Sequence, residues 1–187
     1  MTLAPVEIDF TDSFINYQNL TYSASPSQYE QASKWYMDAE LIAHDMVSIF
    51  ASRGIDANVE QCASIISAFS PRQRWTRNVS CALEFAHGGK PKGLTNNLRM
   101  AENALTMGFD ALKGQKTNNF ARAIAGDEDA VTIDIWMLRA AGLTVTSPNR
   151  AQYRECVEAV KNTAMIEGIT PRTCQALIWI VYRGSAD

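Results

Sequence analysis

Residues 112–139 read LKGQKTNNFARAIAGDEDAVTIDIWMLR and combine a glycine turn, two helical patterns and one short β-branched run. Gly114 separates two helical patterns, and we predict that the second covers residues 115–125. The run at 131–133 is β-branched and is predicted to be extended. A further helix is expected to begin near Asp134. The Asp134 carboxylate is therefore expected either to cap that helix or to project into a cleft.

Other parts of the chain predict helices by the same criteria, which are apolar residues at helical spacing and capping residues before them. The predicted capping residues are Ser27 (with Glu30 in a capping box), Asp56, Thr95, Asn149 and Thr170. A helix is also predicted over 72–86, whereas residues 1–25 lack periodicity and are predicted to form an irregular N-terminal strap. No strand alternation of useful length occurs. The sequence thus predicts an all-α bundle of about eight helices in a single domain spanning 1–187.

The composition is that of a folded chain of 187 residues, of which 47% are hydrophobic. No apolar run approaches the roughly 18 to 20 residues that span a bilayer, and residues 1–12 show no leader pattern. We therefore expect a cytoplasmic protein. The four cysteines and two histidines stand singly, without the short spacings of metal or iron–sulfur sites. We expect no metal and no cofactor, and we expect buried cysteines.

Charge is distributed unevenly along the chain, whose formal net charge is −3. Residues 72–122 hold nine basic and three acidic side chains, while residues 1–71 hold two basic and nine acidic ones. Phosphate binding needs a local basic surplus, so the middle third is the expected site for an anion. The alternative is a solvated helix surface that is basic without a binding role.

The glycine turn and the aspartate resemble the signature of helix-hairpin-helix DNA glycosylases such as endonuclease III. Gly114-Gln115-Lys116-Thr117 is similar to the Gly-Arg-Lys-Thr of that family, and Asp134 follows the lysine by 18 residues, which is the family's spacing. The resemblance covers roughly residues 60–143. Each half also has a structural interpretation, because glycine commonly ends a helix and aspartate commonly caps one.

This resemblance implies a role for each matching residue. Asp134 would be the catalytic carboxylate, and Lys116 the amine that can form a Schiff base with the sugar. Backbone amides at Gly114, Gln115 and Thr117 would bind a DNA phosphate, and the target base would leave the stack. Further binding residues are expected at three positions: Phe69, Trp136 and Arg139. Phe69 follows Ile-Ile-Ser-Ala, which resembles the run ending a DNA-facing helix, and Trp136 stands where the family has histidine.

A second group of polar and aromatic residues lies at the start of the helix predicted over 72–86. Its members are Arg72, Arg74, Trp75, Arg77 and Asn78. Arginine pairs with phosphate and tryptophan stacks on bases, and helical spacing predicts that Arg74, Arg77 and Asn78 share one face. The alternative is that Trp75 belongs to the core. The pattern is similar to phage enzymes that hypermodify thymine, the amino acid:DNA transferases also called glutamyl or putrescinyl thymine pyrophosphorylases.

Three functions remain open from the sequence. The first is a DNA glycosylase-like enzyme that removes a modified or damaged base, with or without lyase activity. The second is a transferase that attaches an amino acid or amine to phosphorylated 5-hydroxymethyluracil in DNA, in the host cytoplasm if the chain is phage-encoded. The third is a non-catalytic DNA-binding or interaction module. It is favoured by the acidic first third and by a shortened hairpin, since Leu112-Lys113 stands where the glycosylase family has a Pro-Gly-Val run.

Overall fold

The computed structural model describes residues 11–92 and 95–184, and within these ranges the chain forms helices and no strand. The helices are α1 (Asp12–Ser23), α2 (Pro26–Ser52), α3 (Val59–Phe69), α4 (Trp75–Ala86), α5 (Thr95–Met107), a 3-10 helix (Gly108–Ala111), α6 (Gln115–Ile124), α7 (Ile135–Ala140), α8 (Arg150–Glu167) and α9 (Pro171–Arg183). The prediction of an all-α bundle is confirmed.

The first helix replaces most of the predicted strap. Thr11 caps α1 by accepting a hydrogen bond from the Phe14 amide at 3.2 Å, and Phe14 and Tyr17 are buried. The prediction of an irregular segment is therefore wrong for 12–23, while residues 1–10 lie outside the described part of the chain. Tyr17 Oη donates to the Met137 carbonyl at 2.9 Å, which fixes α1 against α7.

Two of the predicted caps near the C-terminal end are confirmed. Asn149 Oδ1 accepts from the Gln152 amide at 2.9 Å and begins α8. Thr170 Oγ1 accepts from the Thr173 amide at 3.3 Å, and Pro171 is the first residue of α9. A proline suits that position because its missing N–H has no partner inside the helix.

The predicted starts of α2 and α3 are displaced by two residues. Ser25, not Ser27, caps α2 and forms the capping box with Gln28. Asn58, not Asp56, caps α3. Pro26 accounts for the first shift, because a proline one residue after a serine fits the first helical turn.

Three further boundaries differ from the sequence prediction. Helix α4 begins at Trp75 instead of 72, and α5 includes Thr95 as its first residue instead of following it. Helix α6 ends at Ile124, one residue before the predicted end. The β-branched run at 131–133 is non-helical and buried.

The core consists of two groups of buried side chains that meet along α9. One group is built on α2, α3, α4, α5 and α6, with every residue of α3 from Cys62 to Phe69 buried. The other joins α1, the 131–141 segment, α8 and α9. Trp179 of α9 packs against both groups. Asp134 precedes α7 at this junction.

The carboxylate of Glu167, at the end of α8, binds three side chains from the first two helices. Gln18 Nε2 donates to Oε1 at 2.7 Å, Thr21 Oγ1 donates to Oε1 at 3.0 Å, and Tyr29 Oη donates to Oε2 at 2.8 Å. These contacts attach α1 and α2 to the C-terminal part of the fold. Across the described ranges, none of the helices has the length and apolar character needed to cross a membrane.

Candidate functional site

The two oxygens of Asp134 bind different partners. Oδ1 accepts hydrogen bonds from the amides of Trp136 and Met137, each at 2.9 Å, and so caps α7. Oδ2 accepts from the indole N–H of Trp179 at 3.1 Å. The residue is half-buried. The sequence left open whether this carboxylate caps a helix or faces a cleft; one oxygen serves as the cap, and the other is held against an aromatic ring of α9.

Trp179 is one member of a row of aromatic rings, which we call the aromatic cluster: Trp35, Trp75, Phe120 and Trp179. The Trp35 ring centroid lies 5.0 Å from that of Trp75, 5.9 Å from Phe120 and 6.3 Å from Trp179. The three tryptophans are half-buried and Phe120 is 8% exposed. The four rings come from four helices, α2, α4, α6 and α9. Trp179 joins this cluster to the Asp134 carboxylate.

Lys116 belongs to the helix that supplies Phe120 to the aromatic cluster. The two residues are four positions apart in α6, which places them on the same helix face. Lys116 is half-buried, and its ammonium forms no ion pair with any residue in 11–92 or 95–184. Lys116 thus lies on the same face of α6 as Phe120 of the aromatic cluster, while Asp134 is joined to the cluster by its hydrogen bond with Trp179.

A hydrogen-bonded tyrosine connects α6 to the segment that precedes Asp134. Tyr153 Oη accepts from Asn119 Nδ2 at 3.0 Å and lies 3.3 Å from the Val131 carbonyl, to which it donates. Burial raises the pKa of this phenol, which keeps it protonated and able to donate. Because Asn119 lies one turn after Lys116, this bridge fixes the lysine-bearing helix relative to the Asp134 segment.

The start of α6 has the features of an anion-binding helix terminus. Gly114 is the N-cap and offers no side-chain partner to the first amides, and Gln115 is exposed. Thr117 Oγ1 donates to the Gly114 carbonyl at 3.1 Å, so this hydroxyl is used within the turn. Gly114 has φ −83°, which any residue adopts, so glycine is not required here by backbone conformation.

The arginines predicted around Trp75 do not share a face with Asn78. Arg74 is the N-cap of α4 and Arg77 lies in its first turn, and both are exposed, whereas Asn78 is only 2% exposed. The prediction of one common face is wrong, because α4 begins at Trp75 and its buried side includes position 78. Arg72 is also exposed and has a φ of +61°.

The sequence left open whether Trp75 stacks on a base or belongs to the core, and its position is compatible with both. It packs in the aromatic cluster, with its ring 6.3 Å from that of Phe120, and it remains half-buried. Among the arginines near its helix start, none forms an ion pair with a residue that the structure describes. The positive charge on this side of the cluster is therefore uncompensated.

Phe69 is a core residue and not a binding residue. Its side chain is fully buried and its ring lies 6.1 Å from that of Phe85. The whole Ile-Ile-Ser-Ala run before it is buried as well, so the expectation that this helix ends on a DNA-facing surface is wrong at Phe69. Helix α3 is instead the central helix of the larger core group.

Trp136 and Arg139 lie together close to Asp134. Arg183, which the sequence did not suggest, joins them. The Arg139 guanidinium is 4.9 Å from the Trp136 ring centroid. Arg183, at the end of α9, is 5.4 Å from the same ring and 4.2 Å from the ring of Trp179. Two guanidinium groups thus lie over the Trp136 ring, and one of them also lies over the Trp179 ring.

Sequence reasoning missed Trp35, Trp179 and Arg183 as members of the site. They belong to α2 and α9, which are far from residues 60–143 along the chain. Trp35 and Trp179 each lie on an apolar helix stripe, so the sequence presents them as core residues. Their only distinguishing signal is that tryptophan is large and rarely buried completely.

Two surface depressions lie away from this site. One, of about 320 Å³, is lined by Thr11 and α8, and another, of about 300 Å³, lies along α5. Neither is lined by Asp134 or Lys116. Neither depression therefore forms part of the candidate site.

Within 11–92 and 95–184, no group of three or more histidine, cysteine, aspartate or glutamate side chains is arranged to hold a metal ion. The four cysteines are buried and unpaired with one another. Burial raises the pKa of the Cys62 thiol to about 12 and also raises that of Cys174. These thiols are packing groups and not nucleophiles.

The fold and site define an all-α protein with a fixed carboxylate beside an aromatic cluster and a basic rim. The chain belongs to DUF7178, a family of unknown function, which it matches over residues 12–186. No curated protein matches the chain, and no solved structure matches it.

Proposed function

We propose that this protein acts on a base in DNA and cleaves the N-glycosidic bond of a modified or damaged nucleotide. The observation that carries the proposal is the position of Asp134, whose Oδ2 is held by Trp179 at the edge of the aromatic cluster. Lys116 lies one turn before Phe120 on the same face of α6. The resemblance to helix-hairpin-helix glycosylases rests on the same two residues.

The chemistry assigned to Asp134 follows from its fixed orientation. When the bond between the sugar C1′ and the base breaks, positive charge develops on the sugar, and a preorganised carboxylate stabilises it. Water then bonds to C1′, and its proton passes to the departing base. The three N–H donors hold the carboxylate in place before the substrate arrives, so that no reorganisation is needed.

The aromatic cluster is suited to a base that has left the duplex. Stacking of a base on an aromatic side chain contributes roughly 1–3 kcal/mol and tolerates different bases. Neither Asp134 nor Lys116 can reach a base inside the helix stack, so the target nucleotide has to rotate out. The unpaired arginines at the start of α4 supply charge for the DNA backbone.

The test is base release from a panel of duplexes, each with one modified base, measured by mass analysis of the free bases. We expect Asp134→Asn to abolish release while DNA binding persists. Asp129→Asn is the matched control, because Asp129 is exposed and its carboxylate accepts no hydrogen bond within the described chain. Undiminished base release by Asp134→Asn overturns the assignment.

A second candidate is transfer of an amino acid or amine to a phosphorylated 5-hydroxymethyluracil in DNA. The observation that favours it is the group of unpaired arginines near Trp75, since guanidinium groups suit a phosphate leaving group. Incubation of such DNA with mixed amino acids separates the two reactions: a mass gain on the nucleoside supports transfer, and free base supports cleavage. DNA binding without either product supports a non-catalytic binding module.

A further inference from the structure

Two arginines lie over the rings of the two tryptophans that donate hydrogen bonds to Asp134. We call this group the arginine clamp: Trp136, Arg139, Trp179 and Arg183. Arg139 and Arg183 lie 4.9 Å and 5.4 Å from the Trp136 ring centroid, which keeps the two cations within about 10 Å of each other. Arg183 also lies 4.2 Å from the Trp179 ring. Tryptophan faces hold both guanidinium groups.

The charge of this clamp is not neutralised inside the described part of the molecule. Neither Arg139 nor Arg183 forms an ion pair or a side-chain hydrogen bond with any residue of 11–92 or 95–184. The Asp134 carboxylate accepts its hydrogen bonds from Trp136, Met137 and Trp179 and forms no ion pair with either arginine. Since neither cation is paired with a carboxylate of the described residues, an anion that contacts both of them offsets their mutual repulsion.

We propose that Arg139 and Arg183 bind the DNA phosphate backbone beside the nucleotide whose base faces Asp134. This inference rests on the proposed function, because it takes the strand in that site as its ligand. A guanidinium group offers parallel N–H donors that match two phosphate oxygens. Stacking on Trp136 and Trp179 orders these donors in advance, which reduces the entropy lost on binding.

The clamp residues all follow the basic segment 72–122 in the sequence. Trp179 contacts Arg183 and packs beside Trp35, which in turn packs beside Trp75 of the basic segment. A strand that follows this row of rings can therefore contact the arginines near Trp75 as well as the clamp. This arrangement assigns Arg183 to substrate binding, although it lies outside the part of the chain that resembles glycosylases.

The experiment measures the affinity for a plain duplex oligonucleotide as a function of salt concentration. The variant under test is Arg139→Ala/Arg183→Ala, which removes both clamp arginines. The control is Arg150→Ala/Arg154→Ala, which removes the same charge from exposed positions on α8. Each phosphate contact contributes a slope of roughly 0.9 in log affinity against log salt. We expect the slope of the clamp variant to fall by roughly 2, and that of the control to change by less than half as much.

A second variant separates charge from geometry and from folding. Arg139→Lys/Arg183→Lys retains both charges, so it should recover most of the salt slope, while the loss of the planar donors leaves affinity below that of the original protein. The melting temperature of each variant is measured to establish that it is folded. Equal slopes for the clamp variant and the control overturn the clamp but leave base cleavage standing. Absence of duplex binding at low salt overturns both, and binding without base release overturns only the proposed function.

Discussion

The indole N–H of Trp179 donates to Oδ2 of Asp134 at 3.1 Å, and the same ring lies 6.3 Å from that of Trp35. One side chain therefore orients the carboxylate and also forms a wall of the aromatic cluster. This double role makes α9 part of the site, because a shift of α9 moves the hydrogen bond and the wall together.

Replacing Trp179 with phenylalanine should retain an aromatic ring and remove the donor to Oδ2. We expect a loss of about 1 kcal/mol in unfolding free energy, because water can replace the donor at a half-buried carboxylate only in part. That loss lowers the melting temperature by roughly 2–4 °C. Urea denaturation measures it. Trp136→Phe is the control, since the Trp136 indole N–H has no partner in the described chain, and an equal loss in both variants would contradict the importance of this bond.

Phe69 provides a test that distinguishes a core residue from a DNA-contacting one. Its side chain, at the end of α3, is fully buried and packs beside Phe85 of α4. Phe69→Ala should cost about 3–5 kcal/mol of unfolding free energy by leaving a cavity. At temperatures where the variant is still folded, its affinity for DNA should match that of the original protein. A selective loss of DNA affinity in a stable variant would restore the binding role that the sequence suggested.

Tyr29 makes the fold sensitive to alkaline pH. Burial, and then its hydrogen bond to Glu167, raise the pKa of this phenol to about 12 from the ordinary value of 10.0. The neutral form is favoured in the folded state, so its contribution to stability is complete below pH 10 and is lost as pH rises from 10 to 12.

The corresponding experiment compares the original protein with Tyr29→Phe by urea denaturation across this pH range. We expect the variant to be less stable at neutral pH by about 1 kcal/mol, through loss of one hydrogen bond. The difference should narrow between pH 10 and 12, because the variant has no phenol to ionise at this position. Tyr17 and Tyr36 also have a raised pKa, but they remain in both proteins and do not change the comparison. A constant difference would show that Tyr29 does not couple to pH.

The features predicted correctly from sequence are those set by neighbouring residues. Asn149 and Thr170 cap their helices through amides three positions ahead, and this relationship is visible in any local window. Helix α1 was missed for the opposite reason. Its buried side includes the polar residues Ser13, Gln18 and Thr21, whose partners Glu155 and Glu167 come from α8, more than a hundred residues later.

The same distinction applies to the candidate site. Asp134 and Lys116 are recognisable because they lie in one continuous stretch with a characteristic spacing. The aromatic cluster depends on the packing of four helices, so no local pattern reveals it. For Asn78 the local pattern was misleading. Its spacing from Arg74 is helical, but the helix begins after Arg74, and the Asn78 side chain is buried in the core.

Lys116 can be tested for Schiff-base formation by reduction. If its amine attacks C1′ as the base departs, the resulting imine to the opened sugar is reduced by borohydride to a stable secondary amine, which links protein to DNA. We expect a covalent complex with the original protein and its loss, at least tenfold, in Lys116→Ala. Lys113→Ala is the control, because Lys113 is exposed and lies just before α6. Base release without any trapped complex would assign the reaction to Asp134 and water alone, and a complex that persists in Lys116→Ala would place the reacting amine elsewhere.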